Sequence, residues 1–318
     1  MNWYMTVLGP ISEYSLGHCQ PHEHVYVDDT PAAIAFPQLK MDNVELSSEE
    51  LKLYKKCGGQ TIVDAQPVGA GRNVEQLVSL SRMSNVNIIA STGYHVPMFY
   101  DSNHWIHTSS EDELTILFGS ELSEGMFVDG QKDWPKKRSE SKAGIVKAAI
   151  TADGLTDYTR RLLRAAGRAA AFYGVPLMLH TEAGKAAIEA VDVLNGVGLS
   201  SDRILVCHVD RQAHNLAPHL ALAKKGVYLE YDTIGRFKYH DDASEIDLIR
   251  EMIQAGHIDQ ILMSLDTTTA RFKSYGGEIG LDYLINTFLP QLQSAGVSID
   301  ECIRMTRHNP IRALCYFI

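Results

Sequence analysis

Short runs of β-branched and apolar residues alternate along the chain with longer amphipathic stretches, the pattern expected of βα units around a parallel sheet. The first run passes through Leu16 and Gly17 into His22, Glu23 and His24, and is followed by Gln60 to Ala65, Val86 to Thr92 and Gly144 to Ile150. Val175 to Thr181, Arg203 to Val209, Gly226 to Asp232 and Gln260 to Asp266 bring the set to eight. Between them, Tyr158 to Gly174 carries Leu162, Leu163, Ala166 and Ala170 at helical spacing and stops at a glycine. The same logic predicts helices over Ala217 to Lys225, Ala243 to Ala255 and Gly280 to Ser294. Eight strands alternating with helices in 318 residues, with no break in composition, predict an α/β fold: a single (β/α)8 TIM barrel spanning residues 1–318. A doubly wound sheet is the other arrangement of such units. No GxGxxG follows a strand, however, and GAG at Gly69 to Gly71 lacks the third glycine.

The connection from the third strand to the fourth, at about 97–141, is much longer than the others. It holds Trp105, the acidic helix-like SSEDELTILFGSELSEG and the cluster Lys132, Lys136, Lys137 and Arg138. It reads equally as a functional loop on the side where barrel active sites form and as a packing excursion over the barrel wall.

Composition narrows the possible partners. Apolar residues are 45% and charged residues 21% of the chain, which excludes disordered and fibrous classes and permits a large core. A net charge of −10 without a basic stripe argues against nucleic acid and anionic membrane surfaces. There is no run of about 18 apolar residues to span a bilayer, and no basic-then-apolar opening that would mark a secretory signal. Five cysteines, an odd number with wide spacing and no CxxC pair, fit neither a disulfide framework nor a thiolate zinc site, so a reducing cytoplasm is expected.

The ionisable residues fall at matched places in the repeat. His22 and His24 are two apart near the end of the first strand, where alternation points both to one face. Lys147 lies within the apolar fourth run, His180 ends the fifth, His208 lies at the end of the sixth and Asp266 ends the eighth. Taken singly, His180 or His208 reads as a core histidine bonded to a carbonyl, Asp266 as a helix cap and Lys147 as a solvent-facing residue of a misplaced strand. Taken together, they converge on the carboxyl end of a barrel. Imidazoles and carboxylates suit Zn²⁺ and its neighbours Mn²⁺ and Co²⁺. Two ions roughly 3.5–4 Å apart need a bridging oxygen ligand. A buried lysine supplies one only after carboxylation by carbon dioxide, which needs the uncharged amine that burial favours.

HEH at His22 to His24, preceded by TVLGPI at Thr6 to Ile11, resembles the opening of the phosphotriesterase family of the amidohydrolase superfamily. So do TGYH at Thr92 to His95, AGIVKAAI around Lys147, GVPLMLHTEAG around His180, CHVD at Cys207 to Asp210, the SLD ending at Asp266 and the closing RHNPIRAL. Cys19, Gln20 and Pro21 depart from the small residue and threonine that often precede HEH in that family. The resemblance implies a hydrolase with a binuclear, usually zinc, centre. His22, His24 and Asp266 would hold the buried ion, His180 and His208 the exposed one, and Lys147, as N6-carboxylysine, would bridge them. A hydroxide shared by the ions would attack the ester, with Asp266 as the catalytic proton acceptor. Asp210 either relays that proton or faces away, and Tyr94 either binds the leaving oxygen or simply packs. Members of the family often pair as homodimers, and no surface for this is legible in the sequence.

The loops after strands seven and eight bear on the substrate. TIGRFKY and TTTARFKSY put Arg236, Lys238, Arg271, Lys273 and Tyr275 where barrels frequently bind phosphate. The resembling subgroup that opens phosphorylated sugar lactones makes Arg271 and Tyr275 the expected phosphate ligands, with Arg236 and Lys238 beside them; the other reading of these charges is surface ion pairs. The expected activity is therefore a metal-dependent lactonase acting on a small phosphorylated sugar lactone. The alternatives are a phosphotriesterase, another carboxyl-ester or acyl-homoserine lactone hydrolase, and a non-catalytic barrel that keeps metal for stability or binds a ligand.

Overall fold

The computed structural model, which describes residues 2–316, has a parallel strand at each of the eight predicted runs. A short antiparallel hairpin, β1 (Trp3–Thr6) and β2 (Gly9–Ser12), precedes them and was not expected from the sequence. The barrel strands are β3 (His18–Glu23), β4 (Gly59–Asp64), β5 (Asn87–Gly93), β6 (Ile145–Ala149), β7 (Leu177–His180), β8 (Ile204–Cys207), β9 (Tyr228–Tyr231) and β10 (Ile261–Met263). Neighbours in sequence are neighbours in the sheet, all parallel. Several strands are shorter than the apolar runs because their carboxyl ends leave the ladder to form loops.

The ring closes between β10 and β3 through loop groups. The His22 amide donates to Ser264 Oγ at 2.9 Å, and the Asp266 amide donates to the His22 carbonyl at 3.2 Å. The buried Glu23 carboxylate accepts from the Leu265 amide at 2.8 Å, the Thr267 amide at 3.1 Å and the Thr267 hydroxyl at 2.6 Å.

Alternation along the strands separates two cores. Val63, Ile89, Ile145, Met178, Leu205 and Leu262 pack inside the barrel, stoppered by Tyr4, Leu16 and Leu314. Ile62, Ile88, Val146, Leu179, Val206 and Ile261 face the surrounding helices. The inward parity continues upward: Ile145 leads to Lys147, Met178 to His180, and Leu262 to Asp266.

The helix Asp157–Tyr173 ends on Gly174 in the left-handed region (φ 64°), as its sequence predicts. The predicted helix over Gly280 to Ser294 begins later, as a π-turn over Leu284–Phe288 followed by an α-turn over Leu289–Ser294. Pro290 lacks an amide to donate, so the regular ladder cannot run through it; the same widening over Arg304–His308 precedes Pro310.

The long connection contains the helix Glu111–Ser123, started by a capping box at Ser110 and Glu113. Its anchor is Glu121, fully buried and accepting from Arg72 Nη1 (2.9 Å), Thr92 Oγ1 (2.6 Å) and the Phe127 amide (2.7 Å). Most of the connection therefore packs on the barrel wall, while Val96, Met98 and Phe99 at its start line the cavity described below. Glu121→Gln strands the buried Arg72 guanidinium without its counter-charge and should cost about 3–5 kcal/mol in urea unfolding. A loss within error of zero would show that the ion pair does not root this segment.

Candidate metal centre

The six residues singled out at the strand ends come together at the barrel mouth. A β-bulge between Gln20 and Glu23, at Pro21, re-aims the end of β3. His22 Nε2 and His24 Nε2 then lie 3.8 and 3.5 Å from Asp266 Oδ1. His208 Nε2 and His180 Nδ1 are 2.9 Å apart. Lys147 is fully buried on β6, its Nζ 3.2 Å from His22 Nε2 and 3.2 Å from the Met178 sulfur. Such a site lowers the pKa of its amine by desolvation, as the uncharged form required for carboxylation demands.

The backbone is adapted to this convergence. Gly93, in the TGYH motif, passes so close to β6 that an added Cβ would lie 2.0 Å from the Lys147 carbonyl oxygen. His208 (φ 65°) and Asp266 (φ 46°) both occupy the left-handed region, a conformation that costs free energy in a non-glycine residue and is retained where the surroundings enforce it.

Asp232 was not singled out from the sequence, although it ends the seventh run. Its buried carboxylate accepts from His22 Nδ1 at 2.9 Å and from His208 Nδ1 at 2.6 Å. Burial opposes its charge, but His208 and His22 together hold its pKa well below the usual carboxylate range. With both Nδ1 hydrogens committed to Asp232, each Nε2 presents a lone pair, which faces Lys147 Nζ in His22 and His180 Nδ1 in His208. Desolvation lowers His22 to about 4 and shifts His180 and His208 down as well, keeping the rings neutral at neutral pH, as metal ligation requires. His24 Nδ1 is buried without a hydrogen-bond partner among the described residues. Imidazole nitrogens and the Asp266 carboxylate are donors that divalent cations of the zinc class accept, and Lys147 would join them once carboxylated.

The site histidines and Asp266 line a cavity of about 280 Å³. Arg236 and Lys238 reach it, and Arg236 Nη1 pairs with Asp266 Oδ2. Arg271 and Tyr275, the expected phosphate ligands, do not line it. Arg271 is buried and donates to the backbone carbonyls of Leu265 and, at 2.7 Å, Ile234, because the loop after β10 folds back on itself through the Gly277 and Gly280 amides. The Tyr275 hydroxyl is held by Ser47 (3.0 Å) and the Asn43 carbonyl (2.9 Å) on the outer surface. Tyr94 is packed in the core and does not line the cavity either. Asp210 faces away, accepting from the amide and hydroxyl of Thr233 at 2.6 Å each.

Arg211 and His95 are among the lining residues that escaped the sequence reading. Arg211 lies 3.7 Å from Asp266 Oδ2 and 3.2 Å from Glu182 Oε2. His95 stacks on Phe99 with ring centroids 4.0 Å apart. Arg211 sits directly after the noted CHVD, and His95 closes the noted TGYH, so proximity to a motif was the available signal.

The model of the phosphotriesterase family matches residues 3–314, and the chain belongs to that family. A phospho-furanose lactonase of Mycoplasmopsis synoviae is 30% identical, with 98% of this chain and 91% of that protein covered. The crystal structure of an amidohydrolase from Mycoplasma synoviae superposes with a TM-score of 0.95 at 29% identity, covering 99% of this chain and 92% of that one. The phosphotriesterase homology protein of Escherichia coli, solved with phosphate in its active site, superposes with a TM-score of 0.85 at 27% identity, covering 94% of this chain and 98% of that one.

Asp232→Asn removes the charge that orients two imidazoles, and should weaken divalent-metal affinity by about 10–100-fold in a chelator competition with little change in fold. Unchanged affinity would mean that Asp232 does not orient ligands.

Proposed function

We propose that the protein is a metal-dependent lactonase that opens a small lactone bearing a phosphate or similar anionic group, and that it works in the cytoplasm, in keeping with its five free thiols. The observation that carries this reading is the cavity itself, which the four-histidine cluster lines together with Arg211, Arg236 and Lys238. The naming of the related phospho-furanose lactonase supports it. In this reading His22, His24 and Asp266 would hold one divalent cation of the zinc class, His180 and His208 would hold a second, and Lys147, once carboxylated, would supply oxygen donors to both. When bound, the cations supply Lewis acidity towards the ester carbonyl and towards water.

The chain's own groups do the rest. Arg211, Arg236 and Lys238 attract and orient the substrate anion, and guanidinium forks suit phosphate oxygens. Arg236 is engaged with Asp266 in the free protein. An anion that draws Arg236 away leaves Asp266 Oδ2 free to accept a proton from the attacking water and return it to the leaving alkoxide.

Val27, Leu39, Met41, Val96, Met98 and Phe99 form an apolar wall. Val96, Met98 and Phe99 follow β5, which lies four strands away from the β9 that precedes Arg236, so they face the cations across the mouth. This wall favours a second reading, hydrolysis of an acyl-homoserine lactone whose chain lies along it.

Comparing kcat/KM for a sugar lactone phosphate, its dephosphorylated form and an acyl-homoserine lactone separates the readings. Removing the phosphate should lower kcat/KM at least tenfold. Equal values, or preference for the acyl lactone, would reject the anionic substrate. Asp266→Asn should lose most kcat while keeping the fold, and full activity in that variant would exclude the proton role.

A further inference from the structure

Behind the loops after β8 and β9 lies a polar cluster that no step above uses. It comprises Asp210 in the turn Val209–Gln212, Thr233 just after β9, His240, and Glu245 in the first turn of the helix Asp242–Gln254. Asp210 and Glu245 have no exposed surface, and His240 has 9%.

With both carboxyl groups ionised, the hydrogens in this cluster do not suffice, and without a cation burial raises the pKa of Asp210 and Glu245 towards the protonated acids. His240 Nδ1 lies 3.0 Å from the Asp241 carbonyl, so in the neutral ring this nitrogen carries the hydrogen and donates it. His240 Nε2 then presents a lone pair. The atoms facing it are Thr233 Oγ1 and Glu245 Oε2, each at 3.1 Å. The single hydroxyl hydrogen of Thr233 is already given to Asp210 Oδ2 at 2.6 Å, so Oγ1 also presents lone pairs. Neither Glu245 oxygen nor Asp210 Oδ1 has a hydrogen-bond partner among the described residues. Ligand atoms from Asp210, His240 and Glu245 all lie within 4.8 Å of one another.

Electron pairs therefore converge on a point that lacks a positive charge. Protonating His240 would furnish one further N–H. It would leave carboxylate oxygens unpaired and a net negative charge buried, both costly. A divalent cation neutralises both carboxylates and uses the Nε2 lone pair. The 3.1 Å separation of Nε2 and Glu245 Oε2 is of the order expected for adjacent ligands on an ion held at about 2.0–2.2 Å.

We propose that Asp210, His240 and Glu245 bind a further divalent cation of the Zn²⁺ or Mn²⁺ class, separate from the centre at the barrel mouth. One imidazole and two carboxylates are the donor types that such ions accept. Bound there, the cation fixes Asp210, which holds the Thr233 amide and hydroxyl. Thr233 adjoins Asp232, the carboxylate that orients His22 and His208, so the ion braces the site from behind without touching substrate.

The test uses full-length protein produced with Mn²⁺ or Zn²⁺ and not soaked afterwards. Anomalous diffraction at the metal edge should show a peak among Asp210, His240 and Glu245, resolved from any peak at the four histidines of the mouth. Metal content by mass spectrometry should fall by one equivalent per chain in His240→Gln and in Glu245→Gln. The wild-type map decides the matter even if both variants fail to fold. A map with no peak at Asp210, His240 and Glu245, or an unchanged metal content in a folded variant, overturns the proposal. Neither outcome depends on whether the mouth centre is occupied or on which lactone is turned over.

Discussion

Closure of the parallel sheet is the constraint on which the rest of the molecule depends. β10 is only three residues long, and its successors reach β3 through the Ser264 hydroxyl, the Asp266 amide and the Glu23 carboxylate rather than through a regular ladder. That seam sets residues more than two hundred positions apart side by side and brings Asp266 against His22 and His24. Glu23, between the two histidines in sequence, points the other way and fastens the seam. The HEH motif thus divides its work: the imidazoles face the site and the carboxylate closes the ring.

The site extends the packing order of the interior core. Inward-facing positions carry apolar side chains in the middle of the barrel and ionisable ones at its carboxyl end. Rigid strands hold Lys147 and His180, whereas His208 and Asp266 sit in left-handed turns just beyond their strands. Strain of that kind persists only where surrounding contacts over-determine the backbone. For His208 the contact is visible in Asp232, which binds both its ring and its amide.

Family membership and cavity chemistry carry different kinds of information. Membership defines the barrel and the class of chemistry it hosts; the loops after β5, β8 and β9 shape what enters. Here they place Arg211, Arg236 and Lys238 in the same cavity as Val96, Met98 and Phe99. Arg271 shows how a loop guanidinium is drawn to local acceptors. A guanidinium has five donors, and buried carbonyls such as those of Leu265 and Ile234 compete for them with any substrate.

The sequence by itself determined the order of strands and helices, because burial of one strand face and one helix stripe writes its period directly into the chain. It also marked His22, His24, Lys147, His180, His208 and Asp266 as a group, since each ionisable residue interrupts or ends an apolar run whose far end must lie at the barrel mouth. Asp232 ends a run in the same way, yet its part as the common acceptor for two imidazoles depends on how far apart His22 and His208 finally lie. The π-turns before Pro290 and Pro310 were readable in principle from the missing amide, but their extent depends on packing against the barrel. Only the tertiary structure decided that Arg271, Tyr275 and Tyr94 turn away from the cavity while Arg211 turns into it. A side chain's direction in a loop follows from which buried carbonyls and hydroxyls are left for it to satisfy, and those partners come from segments remote in the chain, where no local pattern records them.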